Sequence, residues 1–202
     1  MMKVLAFVLA LIATPAHALD ADIFSASLER AARSTLRNNV VLSIERAIEY
    51  LSTADPLGLG LRDIPQKRRH EIARAVYIAA ATTGVQWRLL VAMAYVESAL
   101  CTNMRGDKKP GKSGDRLYHW WSVGCLMVNM RWWGGYLSDI GLQQEDLLDY
   151  ETGFVIGALI LKHYQERYGF WNGVQRYNGI GKRARRYRER IASVYNDLQR
   201  RY

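Results

Sequence analysis

The sequence predicts a mostly α-helical protein, and three observations predict it. Apolar residues recur at spacings of three and four along most of the chain, the repeat of one helix face. No alternating apolar and polar run of comparable length reads as a strand. The breaks between periodic runs fall at clusters of Gly, Pro and polar residues, such as ADPLGLGLRDIP from Ala54 to Pro65.

The chain opens MMKVLAFVLALIATPAHALD. Lys3 supplies a positive start, Val4 to Ala13 an apolar core, and Ala16-His17-Ala18 a small-residue cleavage pattern, so residues 1–18 are expected to be a secretory signal peptide cut before Leu19. That core is too short for a stable membrane span, and no later apolar run reaches the roughly 18 residues a span needs. The mature protein is therefore expected to be exported, without a membrane span.

Two helices follow. Phe24, Leu28, Ala31 and Thr35 share one face, as do Val41, Ile44, Ile48 and Leu51, with Asn39 placed to cap the second. Residues 19–65 are thus expected to form an N-terminal helical segment and linker, ahead of a main domain at 66–202. There a helix is predicted from Gln66 to Thr83, with Ile72, Val76 and Ala79 inward and Gly84 ending it. Trp87 to Ala99 forms the next, and the polar stretch Asn103 to Arg116 a loop. Tyr150 to Tyr168 is helical, with Phe154, Ala158, Leu161 and Tyr168 on one side; Gly153 and Gly157, four apart, would let a neighbouring helix approach closely. The last helix, Lys182 to Gln199, turns Ala184, Tyr187, Ile191, Val194 and Leu198 inward. No internal repeat is present.

Lys and Arg number 28 against 19 Asp and Glu, a net charge of +9; loss of Lys3 with the signal leaves +8. Such a charge favours anionic partners, and export disfavours nucleic acid among them, leaving lipid headgroups and acidic wall polymers. Cys101 and Cys125 are the two cysteines. An even pair in an exported protein fits one disulfide, and two buried thiols fit the spacing equally. His70, His119 and His163 show no metal-ligand spacing with the cysteines, and no cofactor is implied.

The stretch LLVAMAYVESALC, Leu89 to Cys101, holds one charged residue, Glu97. Glu97 lies near the C-terminal end of its helix, where the macrodipole is negative, and among apolar residues. Both disfavour the ionised carboxyl, so its pKa should rise, and an acid still protonated near neutral pH is a general acid. A carboxylate on the exposed side of a partly buried helix is the plainer alternative.

Four motifs in order resemble the lytic transglycosylases with the soluble-type catalytic domain, a branch of the lysozyme superfamily. They are Glu97-Ser98 at the end of an apolar helix, then Ser122-Val123-Gly124-Cys125-Leu126-Met127-Val128-Asn129, then Glu151-Thr152-Gly153-Phe154-Val155-Ile156-Gly157-Ala158, then Tyr177-Asn178-Gly179. The resemblance covers roughly Gln66 to Tyr202. It implies a lysozyme-like α-helical domain behind the N-terminal extension. It also implies cleavage of peptidoglycan glycan strands between N-acetylmuramic acid and N-acetylglucosamine without added water, leaving 1,6-anhydro-muramic ends. Glu97 would be the single acid and base. Tyr177 would hydrogen-bond near the acid and hold its orientation. Ser122, Gly124, Met127, Asn129 and Asn178 would support the site or contact substrate, and Asn178 serves a turn equally well. Ser98 is read as a structural hydrogen-bonder, because no base is paired with it.

The chain departs from the family pattern at three places. Met127 stands where Gln is usual and cannot supply its amide hydrogen bonds. Gly153 replaces Asn, and Arg176 precedes Tyr177 where a small residue is usual. Two alternatives follow. One is a lysozyme-type hydrolase with a second carboxylate, for which Asp107, Asp115 and Asp149 are candidates. The other is a catalytically weak, wall-binding assembly protein.

Other features allow two uses each. Trp120, Trp121, Trp132 and Trp133 flank the second motif and suit either packing or a glycan cleft. The loop Asn103 to Arg116 is a solvated loop or a flap. Lys182 to Arg190, KRARRYRER, keeps helical spacing of its apolar positions, so its charges fit a solvated face, with attraction to anionic wall polymers second. The small size resembles family members that serve secretion or conjugation machines. The expected location is the periplasm or cell envelope.

Overall fold

The computed structural model describes residues 38–61, 63–106, 111–113, 116–118 and 121–202. The signal segment, the helix expected at Phe24 to Thr35, and Asp107, Asp115, His119 and Trp120 lie outside the described residues. Seven α-helices dominate the described residues. α1 (Asn38–Ala54), α2 (Gln66–Thr83) and α3 (Trp87–Ser98) come first. Two small antiparallel pairs follow, β1 (Gly111–Ser113) with β2 (Arg116–Tyr118), and β3 (Ser122–Val123) with β4 (Val128–Asn129). Then come α4 (Met130–Asp139), a 3-10 turn (Gln144–Leu148), α5 (Tyr150–Tyr168), α6 (Phe170–Asn178) and α7 (Gly181–Arg201).

α3 is the central element. Leu89 to Tyr95 are all fully buried, as expected of a helix apolar on every side. α1, α2 and α7 pack around it, and α5 lies along α2 and α6. Val41, Ile44, Ile48 and Leu51 of α1 belong to the same core as Leu90 and Met93 of α3 and Ile191 and Leu198 of α7. Each such side chain contributes roughly 1.5–3 kcal/mol on burial. The helix already runs at Asn38, so Asn39 sits inside the first turn of α1 instead of capping it, and its carbonyl accepts from Ser43 Oγ at 2.8 Å.

The Gly- and Pro-rich stretch after α1 is tied to the core. The Asp55 carboxylate accepts the Leu59 and Gly60 amides at 2.9 and 2.8 Å and the Tyr95 hydroxyl at 2.7 Å. Tyr95 Oη in turn accepts the Leu57 amide at 3.0 Å. The stretch expected as a linker is thus anchored two residues before Glu97.

Two helices and the strand pairs escape the sequence pattern. α4 is ten residues long and contains Gly134-Gly135; α6 is nine, contains Gly173, and is bounded by Gly169 and Gly179. Both are too short, and too rich in poor helix formers, for their period to show. The stretch Asn103 to Arg116, expected as a loop, contributes to the β1–β2 pair. No helix among the described residues is long and apolar enough to cross a membrane.

Candidate functional site

α3 ends at Ser98, and the chain then turns through Ala99, Leu100 and Cys101, three successive non-glycine residues with φ of 53°, 53° and 64°. Left-handed backbone costs a non-glycine residue roughly 1–2 kcal/mol, so the turn persists only because its surroundings hold it. They do so in several ways. Leu100 N–H returns to the Ala94 carbonyl at 3.0 Å, and Asn103 N–H to the Ser98 carbonyl at 2.9 Å. Ser98 Oγ accepts the Cys101 amide at 2.9 Å and donates to the Cys125 carbonyl at 2.7 Å, with the Ala94 carbonyl at 3.1 Å. A disulfide joins Cys101 to Cys125.

The partner of this helix end is the turn Gly124-Cys125-Leu126-Met127 between β3 and β4, closed by Met127 N–H on the Gly124 carbonyl at 3.0 Å. It is pinned at each residue. Gly124 N–H donates to the Met104 carbonyl at 2.9 Å. Cys125 carries the disulfide and the Ser98 bond. The Leu126 carbonyl accepts from Tyr177 Oη of α6 at 2.8 Å. Met127 adopts φ 48°. Among the described residues five non-glycine positions have positive φ, and four of them are in these two turns, so strain is concentrated beside Glu97.

α5 lies beneath. A Cβ on Gly124 would come within 2.8 Å of the Leu147 carbonyl oxygen, and one on Gly153 within 2.5 Å of the same atom. A Cβ on Gly157 would meet Leu126 Cδ1 at 2.6 Å. The Gly153–Gly157 face was expected to admit a helix. It receives instead the end of the 3-10 turn and the Leu126 side chain. Gly153 is a glycine here because a carbonyl occupies the space of any side chain.

Glu97 is partly exposed, yet protein surrounds its carboxyl. Burial pushes its pKa up to about 7, while the Tyr187 hydroxyl and the Arg190 guanidinium, both on α7, pull it down. Among the described residues no second carboxylate acts on it. Asp149 is occupied elsewhere: it caps α5, accepting the Thr152 amide and hydroxyl, both at 2.9 Å. Tyr177 and Tyr187 are raised well above the usual phenol value, first by burial and then by Glu97, so the three groups form one coupled cluster.

Tyr177 belongs to the cluster, and its hydroxyl donates to the Leu126 carbonyl, not to the acid. Tyr187 was read only as a core residue. It is 8% exposed, its hydroxyl makes no hydrogen bond of normal geometry among the described residues, and it is close enough to Glu97 to lower the carboxyl's pKa. Its helical phase marks it as inward; nothing in the sequence says that inward means toward Glu97.

Beside the cluster lies a groove of about 320 Å³ lined by Asn129, Trp132, Trp133, Tyr164, Tyr168, Arg176, Tyr177 and Asn178, among others. Trp132 stands 73% exposed at its rim. Asn129 also caps α4, accepting the Arg131 amide at 3.0 Å. Ser122 pairs with Asn129 across β3–β4. Met127 is not among the lining residues; its methyl lies near Gly106, 3.1 Å from where a Cβ there would stand. A second depression, bounded by Thr83, Lys162 and Phe170, contains none of the cluster.

Among the described residues no group of three or more His, Cys, Asp and Glu could hold a metal ion. Glu97 does not line the groove and meets it through Tyr177. The arrangement can perform proton transfer from a single carboxyl flanked by Tyr177 and Tyr187. Comparison with family models, with curated proteins and with solved structures returns no match.

Proposed function

We propose that this protein is an exported peptidoglycan lytic transglycosylase of lysozyme-like architecture, with Glu97 as its acid and base. The observation that carries this is convergence. Segments far apart in sequence meet at one helix end: Tyr177 of α6 and Tyr187 and Arg190 of α7 act on the Glu97 carboxyl, the Gly124–Met127 turn is tied to the residues after it, and the start of α5 packs against that turn. That carboxyl has a pKa of about 7, so both protonation states are populated near neutral pH.

In the reaction, Glu97 in its acid form protonates the glycosidic oxygen, and the bond to the anomeric carbon breaks. The resulting carboxylate takes the proton from the muramic 6-hydroxyl, whose oxygen bonds to that carbon. Glu97 becomes a carboxylate and then an acid again, and no water is consumed. A second carboxylate is unnecessary because the nucleophile is tethered to the substrate at high effective concentration. The Tyr187 hydroxyl and Arg190 stabilise the carboxylate between the two transfers. The Cys101–Cys125 disulfide fits an oxidising compartment such as the periplasm. A role in opening the wall for a secretion or conjugation machine follows from the size of the chain and its resemblance alone.

Digesting purified wall with the mature protein and weighing the fragments tests this. Anhydro-muramic ends, each lighter by one water than a hydrolysed end, are expected, and Glu97→Gln should abolish them. Reducing ends would identify a hydrolase. Sedimentation with wall but no soluble fragments would identify a binding protein.

A further inference from the structure

Among the described residues, Arg176 is the one charged residue lining the groove beside Tyr177. No ion pair of the described residues includes it. Glu166 of α5 borders the other depression and pairs with Lys162 at 3.9 Å. The Arg176 guanidinium lies 4.8 Å from the centre of the Tyr168 ring, and its charge is felt by Tyr164. A guanidinium stacked on an aromatic face is held in one plane while keeping its hydrogen-bond donors available for a planar anion. The rest of the lining among the described residues is uncharged.

We infer that Arg176 is a specificity-determining residue that binds a carboxylate carried by the saccharide in this groove. Resting on the proposed glycan activity, this names the residue by which the groove tells a carboxylate-bearing strand from a neutral N-acetylglucosamine polymer. Two sources offer the same chemistry: the lactyl carboxylate of a muramic residue without its peptide, and a carboxylate of the attached peptide. In this reading the sugars stack at the exposed Trp132, and the anion meets the exposed guanidinium beside the Tyr168 ring. A charge-assisted, two-pronged contact of this kind discriminates by about tenfold or more.

Three probes separate the possibilities: a neutral N-acetylglucosamine hexamer, peptide-free muramyl strands and peptide-bearing strands. Their dissociation constants are measured for the mature Glu97→Gln chain, which spares the ligand, with and without Arg176→Ala. Expected is at least about tenfold tighter binding of one or both carboxylated strands than of the hexamer. Whichever strand gains identifies the source. Arg176→Ala should erase that preference while changing hexamer binding by less than about twofold, and Arg176→Lys should restore only part of it. Equal binding of all three probes, or a preference that survives Arg176→Ala, overturns the inference. If wild-type protein still yields anhydro ends in that case, Arg176 alone was misassigned; if it neither binds nor cleaves any strand, the proposed activity falls as well.

Discussion

Ser98 Oγ donates to the carbonyl of Cys125 at 2.7 Å, across 27 positions of sequence. The same oxygen accepts the Cys101 amide at 2.9 Å. One buried hydroxyl therefore ties the residue after the acid to the turn that Tyr177 holds from the other side. Ser98→Ala leaves a buried amide and a buried carbonyl short of a partner, each costing roughly 1–3 kcal/mol. Chemical denaturation should show a loss of roughly 2–6 kcal/mol for the two together. The proposed wall-cleaving activity should fall even where the variant remains folded, because Glu97 loses its fixed position.

Glu97 makes stability depend on pH. Its pKa rises from an ordinary 4.5 to about 7 on folding, so between those values the folded protein holds a proton that the unfolded chain releases. Its contribution is fully present below about pH 4.5 and is lost as pH rises through about 7. The loss is at most about 3 kcal/mol, reduced by the carboxyl's partial solvent access. Unfolding measured from pH 4 to 8 should show the decline in wild type and lack it in Glu97→Gln.

Tyr177 and Tyr187 should separate by experiment. Tyr177→Phe strips the Leu126 carbonyl of its donor and should cost about 1 kcal/mol in a denaturant titration. Tyr187→Phe removes a hydroxyl without a formed bond and should cost little stability. It also removes a group that lowers the Glu97 pKa, so the alkaline limb of the pH–rate profile should move upward.

Reducing the disulfide frees two segments 24 residues apart. The chain-entropy estimate gives about 3 kcal/mol for such a loop. A scan with and without reductant should show the lower melting temperature, and the Cys101→Ser, Cys125→Ser double variant should match the reduced protein.

Gly153→Asn supplies the residue usual in the motif this segment resembles and should still be harmful. Its Cβ would stand 2.5 Å from the Leu147 carbonyl oxygen, a backbone atom that cannot swing away. Overpacking of this kind costs roughly 1–3 kcal/mol. Equal stability of Gly153→Asn and wild type in urea would contradict this account of the glycine.

Long helices were legible in the sequence because a helix that buries one face must repeat its apolar residues at the helical period. α2, α3, α5 and α7 fall where that repeat places them, and Ala184, Tyr187, Ile191, Val194 and Leu198 all point inward. Glu97 was legible for the opposite reason, as a charge in a run that should not hold one. Tertiary structure alone decided what surrounds it. Periodicity says that a residue faces inward but not which element it meets, so it could not place Tyr187 at the acid, send the Tyr177 hydroxyl to Leu126, or put the Leu147 carbonyl against Gly153. Those are contacts between residues distant in sequence, set by how the helices cross, and no local pattern encodes them.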